Sequence, residues 1–226
     1  MTRKSIPHPP LGPKFRRRLL AWYTRAARDL PWRRTRDPYR VLVSEVMLQQ
    51  TQVSRVAEYY PRFLKQFPDI ERLAHAPARA VREAWDGLGY YARARHLHAA
   101  AREVVGRYDA RLPDKPEELI ELPGIGRYTA GAVASFAYEK PVPAVDTNVA
   151  RVIRRVFLRD GGRGTGDGDI WRLAAALVPR NGKRAWKFNQ AIMELGALVC
   201  TARNPKCPEC PVRRECKTGR MRRKDG

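Results

Sequence analysis

An all-α fold is predicted by three observations: apolar residues recur at three- and four-residue spacing along most of the chain, no alternating strand pattern of any length interrupts them, and Pro, Gly, Asp and Asn punctuate the periodic stretches. Residues 1–18 precede that pattern as a basic, proline-rich arm. Leu19, Leu20, Trp22 and Tyr23 fit a first helix, which Pro31 ends. Helices are then expected over residues 40–52, 57–67 and 77–85, the last stopping before Gly87 and Gly89. Further ones follow over 92–108, 116–122, 127–138, 147–158, 170–178 and 184–198. The glycine-rich stretch 159–169 reads as a flexible connector, because no strand flanks it and its spacing is not that of a phosphate loop. The basic tail 217–226 reads as frayed.

Composition narrows the partner. Lys and Arg number 45 against 23 Asp and Glu, a formal charge of +22. A surface that merely keeps a protein soluble needs far less, and an excess spread along the whole chain is the electrostatic footprint of a nucleic-acid binder. With 226 residues, 43% of them hydrophobic, there is material for one compact unit or two small lobes. No apolar run approaches the about 20 residues that a spanning helix needs, so no membrane partner is expected. The amino terminus shows no secretory signal, so a cytoplasmic or nucleoid location with reduced thiols is expected. Nothing signals oligomerisation, and a monomer is expected.

Cys200, Cys207, Cys210 and Cys216 are the only cysteines, spaced C-x6-C-x2-C-x5-C. In a reducing compartment that reads as a metal or cluster site rather than two disulfides. Tetrahedral zinc competes, but zinc modules usually present two close pairs. One close pair flanked by single cysteines at unequal distances suits four thiolates around a 4Fe-4S cube better.

Two other stretches carry chemistry. In LPGIGRYTAGAVASF, residues 122–136, Gly124 and Gly126 allow a tight turn whose backbone N–H groups open at the start of the next helix, where the helix dipole also favours an anion. That is either a phosphate seat or an ordinary helical corner with Ile125 in the core, and Arg127 tilts it toward a DNA backbone. In PAVDTNVARVIRR, Asp146 suits the N-cap of an amphipathic helix, yet its Pro, Ala and Val neighbours would carry it inward. Glu45 likewise interrupts the apolar run VLVSEVMLQQ. Unpaired burial there would keep it protonated near neutrality, whereas an Arg partner would make it structural. One carboxyl biased to acid and another held ionised is an arrangement that breaks glycosidic bonds.

Together, the LPGIG hairpin, the downstream Asp146 and the terminal four-cysteine loop resemble the helix-hairpin-helix superfamily of DNA glycosylases that includes endonuclease III. Within it, SEVMLQQTQV (44–53), GLGYYARARHLH (87–98), LPGIGRYTAGAVAS, VDTNVARV and FNQAIMELGALVC (188–200) are similar to the catalytic domain of MutY-type adenine glycosylases. The resemblance runs from Trp22 to Cys216. It implies two helical lobes, a hairpin lobe of about 38–150 and a cluster lobe from the first helix plus about 151–216, with mismatched double-stranded DNA across the cleft and a 4Fe-4S cluster in the cysteine loop.

Position by position, the resemblance implies that Glu45 protonates the adenine ring and that Asp146 stabilises the cationic sugar, with Asn148 orienting water or sugar beside it. Tyr128 falls where lyase members place a nucleophilic lysine. A phenol forms no Schiff base, so strand cleavage is not expected. Trp32, Arg33, Leu48 and Gln190 match positions of the base pocket; from the residues alone, Trp32 would be core and Arg33 surface. Gln50 and Tyr90 match residues that enter the duplex from the minor groove, while Gln49 reads as an exposed helix residue.

The chain departs from that pattern in stopping soon after Cys216, where MutY-type proteins generally continue into a domain that recognises 8-oxoguanine. Short thymine glycosylases acting on T:G or U:G mismatches also carry a tyrosine at the position of Tyr128. Gln190 favours adenine, because its amide can hydrogen-bond a purine edge where the thymine branch is apolar. An iron–sulfur DNA-binding or damage-sensing protein would share the charge, hairpin and cysteines, but would not need both Glu45 and Asp146.

Overall fold

The computed structural model describes residues 12–158 and 164–221. Among the described residues there are twelve α-helices and no strand. The chain divides into two compact units, one formed by Asp29–Lys140 and the other by the chain through Arg28 together with the chain from Pro141 onward. The hairpin unit therefore ends about ten residues earlier than the 38–150 expected from sequence.

In the unit that holds the cysteines, α1 (Gly12–Ala26), α9 (Thr147–Phe157), α10 (Asp167–Leu177) and α11 (Gly182–Leu198) enclose one core. Phe15, Leu19, Val152, Ile153, Leu177, Phe188 and Leu195 meet there, with Phe15 edge-on to Phe157 at 5.0 Å. This core moves the boundary, because α9 buries its apolar stripe of Val149, Val152, Ile153, Val156 and Phe157 against it. Arg28, just after α1, clamps Glu194 of α11 through Nε and Nη2 at 2.8 and 2.9 Å. Three expectations change here. The first helix starts at Gly12, inside the expected arm; α10 takes Asp167–Asp169 from the expected connector; and a short α12 (Lys217–Met221) occupies the start of the expected frayed tail. The rest of the arm (1–11), of the connector (159–163) and of the tail (222–226) lies outside the described residues.

The other unit begins with a single 3-10 turn, Pro31–Arg33, followed by α2 (Pro38–Leu48), α3 (Val53–Gln66), α4 (Ile70–His75), α5 (Ala78–Ala84), α6 (Ala92–Tyr108), α7 (Pro116–Leu119) and α8 (Arg127–Phe136). Asp37 caps α2 by accepting from the Arg40 N–H at 2.8 Å, with Pro38 at the first helical position. The helix stops at Leu48, four residues before the expected end, because Gln50 adopts the left-handed conformation at φ 56°. Phe63 is buried against Trp85, edge to face at 5.7 Å, so its truncation to Ala should cost about 3–5 kcal/mol. The short α4, capped by Asp69 on the Arg72 N–H, packs on α6. Among the described residues no helix is long and apolar enough to cross a membrane.

Candidate active site and metal centre

The expected site residues divide between the two units. In Asp29–Lys140, Glu45 lies in the middle of α2 and is 4% exposed, flanked by the buried Val41, Leu42 and Val46. The Tyr128 hydroxyl, on the first turn of α8, donates to Glu45 Oε2 at 2.7 Å. A second link joins the same helices, where Gln49 Nε2 donates to Thr129 Oγ1 at 3.3 Å. Gln49 is thus half-buried and engaged, not the exposed helix residue expected, because the chain has already left the helix there.

The hairpin brings α8 to this place. Leu119, Leu122 and Ile125 bury their side chains and fix the turn, while Gly124, Gly126 and Arg127 stay exposed. Gly124 is required on two counts: its φ is 75°, and a Cβ there would stand 2.5 Å from His96 Cβ. Gly126 is the N-cap of α8 in extended backbone, without a side-chain cap. The opening amides of α8 consequently face outward from a helix N-terminus, as a phosphate seat requires.

Trp32 is buried and packs edge-on to Tyr60 at 5.7 Å, with Arg33 and Leu48 half-buried. Gln50 and Tyr90 are exposed and both left-handed, at φ 56° and 48°. The loops that carry them are tied to one side chain that sequence reasoning passed over, Arg93.

In the other unit, Asp146 is the N-cap of α9. Its Oδ1 accepts from the Val149 N–H at 2.7 Å, and its Oδ2 accepts from Asn148 Nδ2 at 2.8 Å. Burial pushes its carboxyl above the ordinary value, opposed by those two hydrogen bonds and by the charge of Arg151. Arg151 continues the chain of contacts: Nη2 donates to Asn148 Oδ1 at 2.7 Å and to the Gly196 carbonyl at 2.8 Å, and Nε to the Cys200 carbonyl at 2.8 Å. Gly196 matters for its bareness, since a Cβ there would lie 2.7 Å from Asn148 Cβ. Gln190, on the same α11, is 6% exposed, and no hydrogen bond among the described residues engages its amide.

Cys200, Cys207, Cys210 and Cys216 line one pocket with Val156, Leu195, Val199 and Val212. Burial and the other three cysteines push the Cys210 thiol up to about 12, and Cys216 is raised by burial and by Cys200 and Cys207. A polycationic core would let four thiolates share this pocket, whose wall also carries Arg155, Lys206 and Arg213. Sulfur-directed donors are also in place, with Arg155 Nη1 at 3.5 Å from Cys200 Sγ and the Gly219 N–H at 3.3 Å from Cys216 Sγ.

Arg151 and Arg155, one helical turn apart on α9, escaped the sequence reading, as did Gly196. Their signals were present: an i, i+4 pair of arginines on one helix face and a lone glycine inside an apolar helix.

Comparison with known proteins adds the following. Residues 43–175 match the HhH-GPD superfamily of base excision DNA repair proteins, and residues 200–216 match the iron-sulfur binding domain of endonuclease III. The chain is 46% identical to the adenine DNA glycosylase of Rattus norvegicus over 214 residues, 90% of this chain and 41% of that protein. It is 47% identical to the adenine DNA glycosylase of Mycolicibacterium smegmatis over 197 residues, 86% of this chain and 66% of that one. It thus spans less than two thirds of the length of these relatives. A thermostable thymine-DNA glycosylase superposes with a TM-score of 0.85 at 32% identity, covering 93% of this chain and 97% of that chain. A trapped endonuclease III–DNA covalent intermediate does so with a TM-score of 0.79 at 25% identity, covering 93% and 96%. The four-cysteine loop is therefore an iron–sulfur centre and not a zinc module.

Proposed function

The chain belongs to the HhH-GPD superfamily of base excision DNA repair proteins, and on that premise we propose that it is a monofunctional DNA glycosylase, acting inside the cell as a monomer on mismatched duplex DNA and excising adenine opposite 8-oxoguanine or guanine. The observation that carries this reading is the contrast between two carboxyl groups. Glu45 is buried in an apolar helix with a phenol on Oε2, whereas Asp146 is held by a backbone N–H and an amide with Arg151 behind them. The first suits a proton donor, the second a stabiliser of positive charge.

Glu45 gives its proton to a ring nitrogen of the extruded adenine. The C1′–N bond then breaks, its electron pair leaving with the neutral base, and the cation left on the sugar faces the Asp146 carboxylate. Water adds at C1′ and sheds a proton, giving an abasic site. Asn148 keeps Asp146 oriented through the 2.8 Å hydrogen bond. Tyr128 orients Glu45 and forms no Schiff base, so the strand is left unbroken. Trp32, Arg33 and Leu48 in the one unit, and Gln190 in the other, are the side chains assigned to recognition of the extruded base, the Gln190 amide to its purine edge. Gln50 and Tyr90 enter the duplex, while the amides after Gly124 and Gly126, with Arg127, seat a phosphate. The charge of +22 supports a backbone-led encounter with DNA. Cys200, Cys207, Cys210 and Cys216 would hold the iron–sulfur cluster, which would supply structure to their loop.

The test is single-turnover adenine release from an A:8-oxoguanine duplex. Glu45→Gln and Asp146→Asn should each be slower by at least about 100-fold, with DNA binding largely retained. Wild-type rates in both variants would refute the assignment.

A further inference from the structure

Arg93 sits in the first turn of α6, where a positive charge opposes the helix dipole, so it does not serve that helix. Its guanidinium is buried and reaches three other segments. Nη1 donates to the carbonyls of Val46 and Met47, at 3.1 and 2.8 Å, and to the carbonyl of Gln49. Nη2 donates to Thr51 Oγ1 at 3.0 Å and to the carbonyls of Leu88 and Gly89, at 3.2 and 3.0 Å. The rings of Trp85 and Tyr90 flank it at 5.4 and 5.6 Å. One planar cation thus spans the end of the helix that carries Glu45, the loop that carries Gln50 and the loop that carries Tyr90. The Gln50 and Tyr90 backbones are both in the left-handed region, which such residues keep only where surrounding contacts hold them. Lysine offers a single nitrogen and cannot bridge these acceptors.

We propose that Arg93 is a positioning residue that presets Gln50 and Tyr90 as a two-pronged wedge, at a fixed distance from the Glu45 helix. The opening of the base pair, rather than the breaking of the glycosidic bond, then depends on it. The inference rests on the reading of Gln50 and Tyr90 as residues that enter the duplex.

The experiment compares single-turnover adenine release from two duplexes, one with adenine opposite 8-oxoguanine and one with adenine opposite a tetrahydrofuran abasic analogue, where no partner base has to be parted. The quantity read is the ratio of the two rates. Arg93→Lys should lower that ratio by about tenfold, about 1.4 kcal/mol and so a part of the few kcal/mol needed to unpair and unstack a base. Thr51→Val, which removes one acceptor and keeps the guanidinium, should lower it by a smaller factor and decides the matter if Arg93→Lys does not fold. Adding Arg93→Lys to the Gln50→Ala/Tyr90→Ala double variant should lower the ratio no further. Equal losses on both duplexes, or an unchanged ratio, would make Arg93 a scaffold residue and overturn the proposal. An unchanged ratio in the Gln50→Ala/Tyr90→Ala variant itself would instead remove the premise, the duplex-entering role of those two residues, and the proposal with it.

Discussion

Arg151 Nη2 stands 2.7 Å from Asn148 Oδ1, and the same guanidinium holds the Cys200 carbonyl through Nε at 2.8 Å. The amide that holds Asp146 is therefore itself held by a residue anchored on the first cysteine of the iron–sulfur loop. Glu45 belongs to the other unit, where the Tyr128 hydroxyl donates to its Oε2 at 2.7 Å.

Replacing Arg151 by Leu should slow adenine release by about tenfold to a hundredfold, the scale of a lost charge-assisted hydrogen bond. Iron content should change little, because Arg155 still donates to Cys200 Sγ and to the Thr201 and Ala202 carbonyls. Paired single-turnover and iron assays check it.

Asp146 gives a pH prediction whose sign is fixed by its burial. Its carboxyl is raised in the folded chain, so folding favours the protonated form, and ionisation costs stability as pH rises from the ordinary carboxylate value through the raised one. Asp146→Asn keeps a good N-cap and removes that cost, while giving up the hydrogen bond from Asn148 at every pH. The variant should melt higher than wild type at neutral pH, with the gain shrinking as pH falls toward the ordinary carboxylate value, even though it is nearly inactive. Melting curves at pH 8 and near the ordinary carboxylate value distinguish this from a cap effect, which would be equal at both.

Gly196→Ala should reduce activity by displacing Asn148 and the Gly196 carbonyl that holds Arg151. The added methyl would start 2.7 Å from Asn148 Cβ and 3.1 Å from its carbonyl oxygen, and the backbone atom cannot swing away. A fall in rate of about tenfold with a modest loss of melting temperature is expected, since overpacking costs about 1–3 kcal/mol. A rate equal to wild type would show that Asn148 need not hold its place.

The metal centre should make the purified protein brown, with iron and sulfide present and a broad absorption near about 400 nm. Any one of Cys200→Ser, Cys207→Ser, Cys210→Ser or Cys216→Ser should lower iron content and cooperativity of melting, because each side chain lines the same pocket. Iron and sulfide analysis of the four variants checks it.

Much of this was legible in the sequence. Long periodic helices such as α6 and α9 were found near their true ends because periodicity and end signals agreed, and Asp146 announced itself as a cap. Glu45 stood out as a carboxylate in an apolar run. What stayed hidden depended on tertiary contacts. The pattern MLQQ continues a helix on paper, but Gln50 turns left-handed and Arg93 takes the carbonyls at the end of α2. Helix α4, with six residues, is too short to show a period. The count of +22 also treats every arginine alike, whereas Arg93, Arg151 and Arg155 spend their donors inside the protein.

The central claim is tested most directly by base release from the wild-type protein, with an A:8-oxoguanine duplex and a T:G duplex scored side by side for strand breaks before and after alkali. Adenine should be released much faster than thymine, with the strand unbroken until alkali is added. Faster release of thymine, or release of neither base, would contradict the account.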